Sequence, residues 1–152
     1  MENKDIINAL NPLIETSRDG DKGFTTCADD STDASLKAYF TICATRCRES
    51  VRMLDEVVTR FGGTPEASGS VLASAHRAWL NLHTALTSKN DLAVLEECER
   101  AEDVAKKVYS DALAKDLPVD VHALVQQQFE GLKDNHDRVR KMRDEKRLVA
   151  AE

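Results

Sequence analysis

Apolar positions recur at alternating steps of three and four along most of the chain, the spacing that places them on one face of an α-helix. The clearest stripe consists of Leu95, Cys98, Ala101, Ala105 and Val108. Polar runs rich in Gly, Pro, Asp and Asn interrupt the pattern and mark helix ends. The pattern predicts helical segments over residues 3–28, 33–61, 70–87, 91–115 and 121–146.

The first segment contains residues that disfavour a helix, yet its apolar stripe stays in phase. Pro12 should kink the helix or mark its true start, and two glycines weaken it further along. A turn at 19–21 is the alternative. Because Phe24 keeps the phase set by Leu13, we expect one long, bent helix.

Four segments are long and one is short, and this count indicates the architecture. The tight turns near 29–33 and 117–120 make the first two and the last two long helices antiparallel. Between these pairs lies a connection over 62–89, in which a helix of about 17 residues spans roughly 25 Å. The expected fold is all-α: a single domain over 1–152, formed by a ferritin-like four-helix bundle of two antiparallel pairs with a long, partly helical crossover between bundle helices 2 and 3.

Composition and charge narrow the classes of function. Aromatic residues make up only 5% of the chain, and glycine and proline are few, which suits helices better than β-sandwiches. The formal net charge of −6 argues against a general nucleic-acid binder. No apolar run approaches the roughly 18 residues of a membrane span, and residues 1–5 do not resemble a signal peptide. We therefore expect a cytoplasmic protein that binds neither nucleic acid nor membrane.

Four motifs are similar to those of one bacterial family: Leu10–Glu15, Asp19–Phe24, His76–Trp79 and Leu95–Asp103. On these motifs the chain resembles the uncharacterised ferritin-like group called domain-of-unknown-function family 2383, over roughly residues 3–143. The resemblance implies the ferritin-like fold and a distant relation to rubrerythrin-like metal carboxylate proteins. It implies no particular activity.

A ferritin-like di-iron site needs a Glu from each of two helices and Glu-x-x-His from each of the other two. No Glu-x-x-His occurs in this sequence. Glu49 is followed three residues later by Arg52, and Lys133 stands three residues before His136. We therefore do not expect a di-iron centre of the usual kind.

A weaker constellation of candidate ligands remains. The predicted register brings Cys43, Cys98, Glu102 and His136 into a zone roughly 10 Å tall. Such a set suits zinc or iron, or a redox thiol pocket, although no Cys-x-x-Cys motif is present. The alternative, which we favour, is a polar layer in which Glu102 pairs with His136 across the core and the thiols simply pack. In that case the protein needs no cofactor.

These observations lead to three interpretations of function. The first is a non-enzymatic helical bundle that associates with itself and is linked to stress physiology, as some ferritin-like relatives are. The second is a metal-dependent or thiol-redox protein that uses the four candidate ligands. The third is an adaptor that binds a protein partner through the crossover or through the basic end of the last helix.

Overall fold

A computed structural model of the 152-residue chain describes residues 1–65, 73–88 and 90–151, with only the backbone for 73–78. Almost all of this part of the chain is helical, in the order α1 (Asn3–Asp30), α2 (Ala34–Arg60), α3 (Ala73–Thr87), α4 (Asp91–Leu113) and α5 (Val119–Ala151). No strand occurs among the described residues. The predicted all-α bundle is confirmed, while the predicted start of the crossover helix at 70–72 lies outside the described residues.

The helix ends lie where polar caps and glycine place them. The carboxylate of Asp33 accepts the backbone N–H of Leu36 at 3.0 Å, which satisfies an otherwise unpaired donor in the first turn of α2. The side chain of Asn90 does the same for Ala93 at the start of α4. Beyond the end of α2, Gly62 takes a φ of 88°, a conformation that costs glycine little.

The first helix is continuous through Pro12, as predicted. Its glycines have a packing role that the sequence pattern does not reveal. A Cβ on Gly23 would lie 2.3 Å from Cε3 of Trp79, and a Cβ on Gly20 would lie 2.6 Å from Sγ of Cys47. The glycines weaken α1 as a helix, but they allow α2 and α3 to approach it closely.

The fifth helix differs most from prediction, because it begins at Val119 and runs five residues beyond the predicted end at residue 146. Ion pairs with α4 accompany this last part. Lys146 Nζ lies 3.5 Å from Asp91 Oδ2, and Arg147 Nη2 lies 3.2 Å from Glu96 Oε1. The basic end of the last helix, which the sequence suggested as a surface for a protein partner, therefore forms some of its ion pairs within the chain.

Among the residues that the structure describes, two apolar clusters fill the bundle, one toward each end. One surrounds Tyr39 and Phe40, and the other surrounds Leu10 and Leu54. In the first cluster the end of α1 meets the starts of α2 and α4, and in the second the start of α1 meets their ends. Helix α1 therefore runs antiparallel to both α2 and α4. The short helix α3 packs on α1 and α4. These contacts define a helical bundle, and the ferritin-like connectivity stays a prediction.

The contact between α2 and α5 is sparse, and a cleft separates these two helices near the level between the clusters.

Within the residues that the structure describes, no helix has both the length and the apolar character needed to cross a membrane.

Candidate functional site

Glu102 lies in the bundle core with only 2% of its surface exposed. The hydroxyl group of Tyr39 donates a hydrogen bond to its Oε1. The other carboxyl oxygen, Oε2, has no hydrogen-bond partner among the described residues. Burial raises the pKa of Glu102 to about 8, although the Tyr39 hydrogen bond acts in the opposite direction. At neutral pH this carboxyl group is therefore mostly protonated.

Cys43 and Cys98 lie beside this carboxyl group and are fully buried. Burial, reinforced by the charge of Glu102, raises the pKa of both thiols. The same burial raises the pKa of Cys27 and of Cys47 to about 12. Because the thiolate is the form that binds zinc and attacks disulfides, these thiols act as small apolar groups at neutral pH.

His136 faces a different set of partners from the one predicted. Its Nε2 lies 3.0 Å from Asp103 Oδ1 and 3.6 Å from Glu99 Oε1. The predicted ion pair between Glu102 and His136 is therefore wrong, because Glu102 bonds instead to Tyr39. Residues 99 and 103 are one helical turn apart and share the face of α4 that meets α5, whereas residue 102 is rotated by about 100° from residue 103.

The structure thus brings together three of the four predicted ligands, Glu102, Cys98 and Cys43, around the hydroxyl group of Tyr39. Burial raises the pKa of that hydroxyl group, and each of the three adds to the shift. The fourth, His136, belongs to a separate cluster. Without a bound metal ion, the carboxyl group and the two protonated thiols form a neutral core layer, and the metal site predicted from these residues stays a prediction.

The second cluster has the composition of a metal site. One atom each from Glu99, Asp103 and His136 lie within 4.8 Å of one another. Zinc bonds of about 2.0 Å to neighbouring tetrahedral ligands separate those ligands by roughly 3.3 Å. The distances of 3.0 and 3.6 Å from His136 Nε2 to Asp103 Oδ1 and Glu99 Oε1 lie on either side of that value.

Further groups orient this cluster. Nδ1 of His136 lies 3.4 Å from Asp137 Oδ1, the kind of carboxylate contact that orients a metal-binding imidazole. The guanidinium group of Arg143 donates to Oε2 of Glu99, which leaves Oε1 facing the histidine. This cluster contains no Glu-x-x-His motif, so the di-iron pattern does not predict it. Its signal in the sequence is a Glu and an Asp four residues apart on one helix, together with a histidine on the neighbouring helix.

The cleft between α2 and α5 has a volume of about 430 Å³ and is lined in part by Glu102. At its base, the hydroxyl groups of Ser17 and Tyr109 lie 3.2 Å apart, and Tyr109 donates to Gln128 Oε1 at 2.8 Å. At its mouth, Arg46 donates to Asn135 Oδ1 at 2.7 Å. Polar side chains from α1, α2, α4 and α5 therefore contribute to the lining of this cleft.

The fold is an all-helical bundle, and its described residues include the clusters of ionisable groups around Tyr39 and His136. The chain belongs to the family described as domain of unknown function DUF2383, whose sequence model matches residues 5–115. The predicted family is therefore confirmed. The match includes Glu99, Glu102 and Asp103 and ends before α5, which carries His136. The comparison with curated proteins gave no match.

Proposed function

We propose that this protein is a non-enzymatic helical bundle that binds one divalent cation, zinc, between α4 and α5. The ligand atoms are Glu99 Oε1, Asp103 Oδ1 and His136 Nε2. The observation that supports this proposal is the convergence of these three atoms within 4.8 Å. The proposal replaces the site predicted from the sequence, of which it keeps only His136.

The donor set favours a transition-metal ion such as zinc over magnesium and calcium. Magnesium and calcium prefer oxygen ligands alone, whereas zinc accepts imidazole nitrogen together with carboxylate oxygen. Three protein ligands leave a fourth position for water. Because Arg143 holds Oε2 of Glu99, that carboxylate binds the ion through Oε1 only.

The local charge also favours a cation. Three carboxylates, those of Glu99, Asp103 and Asp137, surround the imidazole, and Arg143 supplies a single positive charge against them. A bound dication would offset the remaining negative charge. It would also connect α4 to α5, so that the ion stabilises the folded bundle by mass action.

Zinc titration of protein first treated with a chelator tests this proposal. We expect one equivalent of zinc to bind, and a free zinc concentration 100 times the dissociation constant to stabilise the fold by about 2.7 kcal/mol. His136→Ala should remove the stoichiometric binding and the rise in melting temperature. His83→Ala, which changes an exposed histidine of α3, is the matched control and should bind zinc like the wild type.

A second pair of variants separates this site from the one predicted from the sequence. Glu102→Gln and Cys98→Ala alter the core layer around Tyr39 and should leave one equivalent of zinc bound. Loss of zinc in either variant, with binding retained in His136→Ala, would contradict the proposal. Failure of the wild type to bind stoichiometric zinc would contradict it as well.

Self-association, a link to stress physiology, a protein partner and a cytoplasmic location stay predictions from the sequence. Sedimentation of the protein with and without zinc would test the first of them.

A further inference from the structure

An open groove lies on the outside of the bundle where α2 begins and α5 ends. It has a volume of about 760 Å³, and Ala34, Ser35 and Ala38 form its wall on α2. Because the contact between α2 and α5 is sparse, the side chains of these helices do not close it. This end groove leaves one face of α5, from Arg138 to Val149, without a covering element in the described part of the chain.

Exposed apolar side chains surround the end groove. Val149 lines it and is 69% exposed, and the adjacent Leu148 is 68% exposed. Ile42, which is 37% exposed, follows Ala38 by one helical turn and so lies on the same edge of α2. Apolar groups gathered around a groove in this way mark a surface that a protein partner can cover.

The charged side chains of this surface are free to pair with another molecule. Arg138, Lys141 and Glu145 line the end groove, and among the described residues none of the three forms an ion pair or a hydrogen bond. Lys146, in contrast, already lies 3.5 Å from Asp91 Oδ2. The lysine at 141 precedes the glutamate at 145 by one turn, which is the less favourable order for pairing within one helix.

The pattern of these residues along α5 is complementary to itself. If two α5 helices pack antiparallel about a two-fold axis midway between residues 141 and 145, Lys141 of each copy lies opposite Glu145 of the other. Arg138 then lies opposite Leu148 of the second copy, which its aliphatic stem can cover. A two-fold contact uses the same patch on both copies, so each favourable pair occurs twice.

The same axis also matches the α2 edges of the two copies. Arg46 donates to Asn135, and α2 runs antiparallel to α5, so Ile42 is level with α5 near residue 138. The antiparallel arrangement brings Val149 of the second copy to that level. Near the axis the two copies present Ala38 to each other, and its small side chain permits a close approach.

We propose that the end groove is the contact surface of a homodimer, in which the α5 helices of two copies pack antiparallel and Lys141 of each copy pairs with Glu145 of the other. This surface involves none of the proposed zinc ligands, and it goes beyond the proposed function. The occupant of the groove is therefore a second copy of this chain.

Sedimentation equilibrium of the full chain, with a chelator present, tests this proposal. We expect a concentration-dependent dimer for the wild type. Lys141→Glu places like charges opposite each other twice and should weaken the dimer about tenfold or more, as should Glu145→Lys. Arg140→Glu, which makes the same change of charge at an exposed position of α5 outside the groove lining, is the matched control and should dimerise like the wild type.

Mixing the two weakened variants gives the sharper result. In a mixed dimer of Lys141→Glu and Glu145→Lys, each acid again faces a base across the axis, so the mixture should associate about as tightly as the wild type. Circular dichroism checks that each variant is folded. Equal dimerisation of Lys141→Glu and Arg140→Glu, or a mixture that associates no better than its components, would overturn the proposal. A wild type that stays monomeric at about 1 mM, where even weak complexes form, would overturn it too and leave the groove to a different partner.

Discussion

Replacing Glu102 with Gln removes a buried ionisable group but keeps the oxygen that accepts the Tyr39 hydrogen bond. Burial places the pKa of Glu102 at about 8 in the folded protein, against a normal value of 4.5. Because the folded state favours the protonated form, its contribution to stability is complete below pH 4.5 and is lost as the pH rises through 8. At about 1.4 kcal/mol per pKa unit, the loss amounts to at most roughly 5 kcal/mol.

Urea unfolding followed by circular dichroism at pH 5, 7 and 9 measures this effect. We expect the two proteins to be similarly stable at pH 5, and Glu102→Gln to become more stable than the wild type by several kcal/mol at pH 9. Glu96→Gln, at a partly exposed position on the same helix, should follow the pH dependence of the wild type. Parallel pH profiles for wild type and Glu102→Gln would refute the assignment of a buried, proton-binding carboxyl group.

The remaining predictions concern contacts of the core. Tyr39→Phe removes the donor to Glu102 and should destabilise the fold by ~1–3 kcal/mol at pH 5 in urea unfolding; an unchanged midpoint would contradict that hydrogen bond. Gly23→Ala places a Cβ 2.3 Å from the ring of Trp79 and should cost about 1–3 kcal/mol and shift the emission of this sole tryptophan. The control is Gly131→Ala, whose Cβ meets nothing within 4 Å and which should stabilise α5 by up to about 1 kcal/mol. An equal loss of unfolding free energy in both variants would contradict close packing at Gly23.

Much of the fold could be predicted because local sequence determines it. The N-caps Asp33 and Asn90 begin α2 and α4, and the left-handed Gly62 follows the end of α2, as the same residue types do in other helical proteins. The continuity of α1 through Pro12 could be predicted because the apolar stripe keeps its phase on either side. The reason for the glycines in α1 could not, because it depends on Trp79, which approaches from another part of the chain.

The site could be predicted only in part. Helical periodicity correctly placed Glu102 on the buried face of α4, since a residue's face depends only on its own helix. Its partner depends on how α4 is rotated and shifted against α2 and α5, and sequence spacing does not define those quantities. The structure pairs Glu102 with Tyr39, and it places His136 beside Asp103.

A crystal structure of the protein grown with zinc, with anomalous data collected at the zinc absorption edge, would show directly whether an ion lies between α4 and α5. We expect one strong anomalous peak about 2.0–2.2 Å from Glu99 Oε1, Asp103 Oδ1 and His136 Nε2. A peak beside Glu102 and Cys98 instead, or no peak between α4 and α5 at saturating zinc, would contradict the proposed zinc site.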